Sequence, residues 1–153
     1  MQFHYYNSEE FDGVEEAPRT TMTIMRGLPG SGKSTKAKKI AAETGAIIVS
    51  ADNFFVGHDG VYRFEPSRIG DAHASCYEGA VNAVTRGNSV IVDNTNTQKW
   101  EFQKYVELSI ATGMVINIVT VYDGGLSDEA LARRNTHDVP VEAIARMRAR
   151  WEP

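Results

Sequence analysis

Nine consecutive residues, Gly27-Leu28-Pro29-Gly30-Ser31-Gly32-Lys33-Ser34-Thr35, carry the clearest chemistry in this chain. The first eight fit the pattern Gly-x-x-x-x-Gly-Lys-Ser/Thr in full. Glycines at these places let successive backbone N–H groups point into one concavity suited to phosphate oxygens. A helix starting at the lysine adds its own unpaired N–H groups and the positive end of its dipole. Lys33 is then placed to reach the outer phosphates of a nucleotide, and Ser34 to hold Mg²⁺. The bland alternative is a glycine-rich turn that binds nothing. The motif lies between an expected strand and an expected helix, the context that phosphate binding requires, so the loop predicts ATP and Mg²⁺ as cofactors.

Three other groups fall where they can serve such a site. Asp52 directly follows the apolar run Ala46–Ser50, so its carboxylate is expected at a strand end near the phosphates, able to accept the proton of an attacking hydroxyl. Its competing role is a turn or helix cap. Ser89-Val90-Ile91-Val92-Asp93 is a β-run ending in an acid, which suits Asp93 to hold Mg²⁺ through water or to orient Ser34. Asn94, Thr95 and Asn96 add short polar groups whose ordinary role is making a turn. Arg133 and Arg134 are expected on a helix after the last strand. An arginine there can stabilise transition-state charge on the γ-phosphate; the competing role is a solvent-facing pair at a helix C-terminus. His4, His58, His73 and His137 are scattered without ligand spacing, so no histidine metal set is assigned.

The elements that must position these groups alternate from Thr21 onward. Thr21–Met25 is β-rich, and Lys33–Glu43 reads as a helix stopped by Gly45. Ala46–Ser50 suits a strand buried on both faces. Asp59-Gly60 between Val56 and Val61-Tyr62 predicts a tight turn or small hairpin. Pro66–Arg86 has a helical period through Ile69, Ala72, Cys76, Ala80 and Ala83, with Gly87 ending it; Cys76 is expected in the core. Ser89–Val92 is the next strand. Gln98–Thr112 is a helix with Phe102, Tyr105 and Ser109/Ile110 on one face, and Met114–Tyr122 is a strand. Ser127 is the expected N-cap of a helix with acids first and Arg133 and Arg134 last. Pro140 opens the final helix at its first position. This alternation predicts an α/β fold, a parallel sheet with helices on both faces, and places ligands at the carboxyl ends of its strands.

Composition narrows the class. The chain has 153 residues, with 42% hydrophobic and 24% charged, and suits one domain with its own core. Cys76 is the single cysteine, so no intramolecular disulfide or cysteine zinc site is expected, nor a disulfide-linked partner. No run is apolar and long enough to span a bilayer, and the acidic start lacks a signal-peptide core. These features predict a reducing, cytoplasmic setting without a membrane partner. The net charge of −4 resides in residues 1–20, expected to be an acidic extension laid on the domain by its aromatics; residues 21–153, with 15 bases and 15 acids, form the domain itself. Two basic clusters stand out, Arg26 with Lys33, Lys36, Lys38 and Lys39, and Arg133–Arg134 with Arg146, Arg148 and Arg150. Each is either a solvated helix face or a contact to a nucleic acid.

Taken together, Gly27–Thr35, Ser50-Ala51-Asp52-Asn53-Phe54-Phe55, Val92-Asp93-Asn94-Thr95-Asn96 and Ala132-Arg133-Arg134-Asn135-Thr136-His137 with Val139-Pro140 resemble the small P-loop kinases. The likeness spans about residues 21–151. It is nearest to the kinase-like domain of NEDD4-binding protein 2 and its relatives, and more distant to phage polynucleotide 5′-kinase. The resemblance implies that Lys33 and Ser34 bind ATP and Mg²⁺, that Asp52 is the general base, and that Arg134 belongs to a helical lid over the phosphates. In the polynucleotide kinases an arginine three residues after the base grips a substrate phosphate; here that position is Phe55. Their second lid arginine falls near Asp138, with Arg133 as a substitute. Phage kinases of this type also act on 5-hydroxymethyluracil in DNA, which must be drawn from the base stack, and Phe54 or Phe55 would then be a stacking platform. The expected activity is phosphorylation of a hydroxyl on a nucleic acid, at a 5′ end or a hydroxymethylated base. A nucleoside or small-metabolite kinase is the rival, and a non-catalytic nucleotide-binding adaptor a second.

Overall fold

A computed structural model of the chain describes residues 19–153. The acidic extension therefore lies outside the described residues except for Arg19 and Thr20. Four strands form one parallel sheet: β1 (Thr21–Arg26), β2 (Ile47–Val49), β3 (Val90–Asp93) and β4 (Val115–Thr120), in the order β2-β3-β1-β4. The helices are α1 (Lys33–Thr44), α2 (Ile69–Thr85), α3 (Lys99–Thr112), α4 (Asp128–Arg134) and α5 (Val141–Ala149).

Strand pleating sends successive side chains to opposite faces, and both faces are covered. Met22, Ile24, Val90 and Val92 pack with Ala72, Cys76 and Ala80 of α2 and Phe102 and Tyr105 of α3. Met25 and Ile91 face the other way, onto Ala37 of α1. Each such fully buried aliphatic side chain contributes roughly 1.5–3 kcal/mol. A third cluster joins Leu28 of the glycine-rich loop to Leu131 of α4 and Ile144 of α5, so the last two helices are fastened to the loop itself.

Local signals set most boundaries. Gly45 ends α1 in the left-handed region, with its N–H on Ala41 O. Ser127 Oγ accepts from Ala130 N–H, capping α4 as expected. The Asp59-Gly60 turn closes a Val56–Tyr62 antiparallel bridge. Three expectations need correction. β2 is an edge strand and not buried on both faces, leaving Ile47 exposed. Ile69 and Ile110 share the helical period but face solvent, because each helix buries a stripe narrower than its apolar residues. Pro140 is the N-cap of α5, one position earlier than expected. No helix among the described residues is long and apolar enough to cross a membrane.

Candidate functional site

The glycine-rich loop sits at the carboxyl end of β1, a central strand. Gly27 N–H donates to Thr95 O at 3.1 Å, joining the loop to the end of β3. Gly30 (φ +81°) and Gly32 (φ +94°) take left-handed backbone that glycine adopts without strain. Gly32 caps α1 and supplies no side-chain acceptor, so the first-turn N–H groups of this helix have no side-chain partner there. Ser31 Oγ is buried in the loop and has no hydrogen-bond partner among the described residues. Exposed Ser34 and Thr35 follow it. An open cradle of backbone donors and an orphaned hydroxyl fit a polyphosphate, and the residues that would hold it are Gly27 to Thr35.

Lys33 Nζ donates to Asp93 Oδ1 at 2.6 Å, a short charge-assisted bond between two nearly buried side chains. The structure thus brings the expected phosphate-binding lysine and the expected metal-organising carboxylate together, each neutralising the other. Among the described residues there is no group of three His, Cys, Asp or Glu side chains able to hold a metal. Mg²⁺ here would take most of its oxygen ligands from phosphate and water, as this ion commonly does.

The end of β3 carries the connection to Asp52. Asn94 Oδ1 accepts from Ala51 N–H at 2.9 Å, and Asn96 Nδ2 donates to Met25 O at 2.8 Å. Asn94 and Asn96 therefore bind β3 to its neighbours on either side, beyond making a turn. Ser50 Oγ accepts from Asp52 N–H at the start of a short 3₁₀ turn over Ala51–Phe55. Ser50 does the capping, so the Asp52 carboxylate is left to face outward. Its Oδ1 accepts from Tyr62 Oη at 3.4 Å, and its Oδ2 lies 3.1 Å from His137 Nδ1. The Tyr62 and His137 rings stack at 4.4 Å between centroids. Burial first, and then the Asp52 charge, push the Tyr62 phenol up to about 12, so it is a donor at neutral pH.

Arg133 and Arg134 occupy the last turn of α4, exposed and without an ion-pair partner among the described residues. Their helix lies against the loop: a Cβ built on Gly30 would stand 2.3 Å from Leu131 O. The geometry is that of a lid base beside the phosphate cradle. A cleft of about 310 Å³ opens on the same side, lined by Leu28, Tyr122, Asp123 and Trp151 among others.

Several expected site residues are placed otherwise. Phe55 is core, packed edge to face on Phe54 and Phe64, so it is unavailable for stacking on a base. Phe54 is half-buried under the Arg68 guanidinium. Arg26 is no part of a basic surface. It is buried at the end of β1, donates to Asn96 O, Thr97 O and Glu152 O, and lies over the rings of Phe102 and Trp151. Burial lowers its pKa, with Glu152 opposing the shift. In the second cluster Arg148 is held by Asp123 and Asp128, and Arg150 by Thr97 near Glu101. Lys36, Lys38 and Lys39 are exposed, as a nucleic-acid contact would need. Sequence reasoning missed Tyr62 and His137. The only signal for His137 was its place in the Arg-Arg-Asn-Thr-His stretch.

A parallel α/β sheet with a glycine-rich phosphate loop on a central strand, an acidic end on the next and a helical lid defines a small P-loop kinase-like nucleotide-binding protein. The chain belongs to the family described as AAA domain, which matches residues 22–153. It is 36% identical over 131 residues to human NEDD4-binding protein 2, covering 82% of this chain and 7% of that protein. In fold it is similar to a chain of the Pnkp1/Rnl/Hen1 RNA repair complex, with a TM-score of 0.68 and 22% identity over 88% of this chain and 45% of the other. It is also similar in fold to a gluconokinase from Sinorhizobium meliloti 1021, with a TM-score of 0.59 and 16% identity over 90% of this chain and 78% of the other. The chain thus spans a small part of its sequence relative and under half of the first of these structures.

Proposed function

We propose that the protein is a Mg²⁺- and ATP-dependent kinase that phosphorylates a hydroxyl on a nucleic acid, at a 5′ terminus or on a hydroxymethylated base. The observation that carries the reading is the Asp52 carboxylate, set half-open one hydrogen-bonded link from the strand end that pairs with Lys33. An adaptor that only bound a nucleotide would have no use for that carboxylate. ATP with Mg²⁺, when bound, supplies the γ-phosphoryl group and neutralises part of its charge.

The rest is done by the chain. Backbone N–H groups of Gly30, Gly32, Lys33 and Ser34 hold phosphate oxygens, that of Ser31 being given to Leu28 O, and Lys33 leaves Asp93 to reach them. Asp93, once released, and Ser34 are the residues that would hold Mg²⁺ there. Asp52 accepts the proton of the acceptor hydroxyl on a carboxylate oxygen. Arg133 or Arg134 swings from solvent to balance developing charge. Support for a polynucleotide acceptor comes from the fold likeness to the RNA repair chain and from exposed Lys36, Lys38 and Lys39.

A small-metabolite acceptor is the second reading. The neutral charge balance of residues 21–153, the commitment of Arg148 to Asp123 and Asp128 and of Arg150 to Thr97, and the burial of Phe55 favour it. The test is incubation with γ-labelled ATP and 5′-hydroxyl DNA, 5′-hydroxyl RNA, hydroxymethylated DNA, free nucleosides and gluconate. Label on an oligonucleotide, with a turnover that falls as salt rises, is the expected result. Efficient labelling of a free nucleoside or sugar acid, with none on oligonucleotides, would replace the first reading by the second.

A further inference from the structure

We propose that His137 is a positioning residue for the base: its Nδ1–H holds the Asp52 carboxylate and ties the turn behind α4 to the catalytic corner. This rests on the reading of Asp52 as the proton acceptor. His137 Nδ1 lies 3.1 Å from Asp52 Oδ2, and since an ionised carboxylate only accepts hydrogen bonds, we assign a proton to that ring nitrogen. Tyr62 Oη serves the other oxygen, at 3.4 Å. A carboxylate offers about four lone-pair sites, so one contact on each oxygen limits its rotation and leaves room for the proton of a substrate hydroxyl.

The aim of His137 is built by its neighbours. Asn135 Oδ1 accepts from His137 N–H at 3.2 Å and from Val139 N–H at 2.9 Å. Asn135 Nδ2 donates to Ala132 O at 2.7 Å and to Val139 O at 3.2 Å. One amide side chain thus closes the whole turn, and Asp138 within it takes a left-handed φ of +55°, which a non-glycine residue adopts only when its surroundings hold it there. Stacking on Tyr62 fixes the imidazole plane. A half-exposed polar contact of this kind contributes little to stability, so its orientation is the more informative feature. Arg133 and Arg134 directly precede the Asn135 turn, so the seating of α4 on the loop sets where His137 stands. Orientation of the base is thereby linked to the seating of the lid.

Three variants separate the donor from the ring. His137→Phe keeps the stack and loses the N–H; His137→Asn keeps an N–H near the Nδ1 position and loses the ring; His137→Ala loses both. Transfer from γ-labelled ATP to 5′-hydroxyl and hydroxymethylated oligonucleotides and free nucleosides is measured beside ATP affinity and thermal midpoint. The Phe and Ala variants should lose roughly 10- to 100-fold in kcat, the range seen when an orienting hydrogen bond behind a site is cut, with KM for ATP unchanged. The Asn variant should recover most of the loss. His137→Phe added to Asp52→Asn should cost nothing further. In the ligand-free protein, ¹⁵N NMR should show the Nδ1–H tautomer of His137, changing toward Nε2–H in Asp52→Ala. Full activity in His137→Phe beside an inactive Asp52→Asn would overturn the positioning role alone. Undiminished turnover in Asp52→Asn would instead overturn the base assignment on which it rests. An Nε2–H tautomer in the parent would remove the hydrogen bond itself.

Discussion

The phosphate cradle is drawn from one unbroken stretch, Gly27–Thr35, whereas the corner around Asp52 assembles side chains from positions 52, 62 and 137. The cradle follows a strand whose Met22, Ile24 and Met25 are fully buried, and backbone groups do most of its work. The corner has no such support. It is half-open, and it is held by side-chain contacts of 3.1 and 3.4 Å and one ring stack. Under the proposed function the difference follows from the tasks. Phosphate oxygens can be met by fixed dipoles laid down in advance. A base must stay open to an incoming hydroxyl, so it can be aimed only by groups that reach it from the side. The cradle should therefore fail through backbone geometry and charge, and the corner through misorientation.

The sharpest way to test that contrast is Lys33→Met. Transfer should fall by roughly 10²–10³-fold, as when one preorganised charge-stabilising donor is removed. The structure adds a second loss. The buried Asp93 carboxylate is left unpaired, so stability to urea should drop by about 3 kcal/mol. Asp93→Asn in the same protein should return the stability and none of the activity. Parent-like stability in the single variant would show that the Lys33–Asp93 pair does not brace the cradle.

A smaller effect compares two left-handed glycines. At Gly30 an added Cβ meets Leu131 O at 2.3 Å, while at Gly60, in the hairpin near Asp52, nothing lies within 4 Å. Gly60→Ala should cost roughly 1 kcal/mol of backbone strain alone. Gly30→Ala should cost roughly 1–3 kcal/mol and push α4 off the loop. Equal losses in chemical denaturation would mean that the lid base is not seated on the cradle.

The last effect, confined to alkaline pH, belongs to Tyr62. Its phenol ionises near 10 in an unfolded chain and near 12 in the folded one, so between those values the folded state holds more protons. The Tyr62 contribution to stability should be constant below pH 10 and should be lost as pH rises from 10 to 12. Tyr62→Phe should lack that part of the decline, and the difference between the two stability–pH curves is the measurement. Parallel curves would show that the hydroxyl is not held in a partly desolvated place beside Asp52.

Contiguous patterns told in advance what adjacent residues decide among themselves. The Gly27–Ser34 motif, the Ser127 cap, the Gly45 stop and the strand–helix alternation each rest on local backbone conformation or on a period, and each appears in the structure. From these the α/β class and the place of the glycine-rich loop were legible, and the position of Asp52 just past a strand end with them. Tertiary structure alone decided the rest. Strand order left β2 at an edge, so an apolar run suited to a central strand has Ile47 in solvent. Chain packing turned Phe55 into core and Arg26 from a surface cation into a buried strut. The Asn135 turn brought His137 to Asp52 across most of the chain. No local pattern encodes such a meeting, because it depends on the angle of a turn, the seating of α4 on the loop and the position of the hairpin, all fixed only when the whole chain is packed.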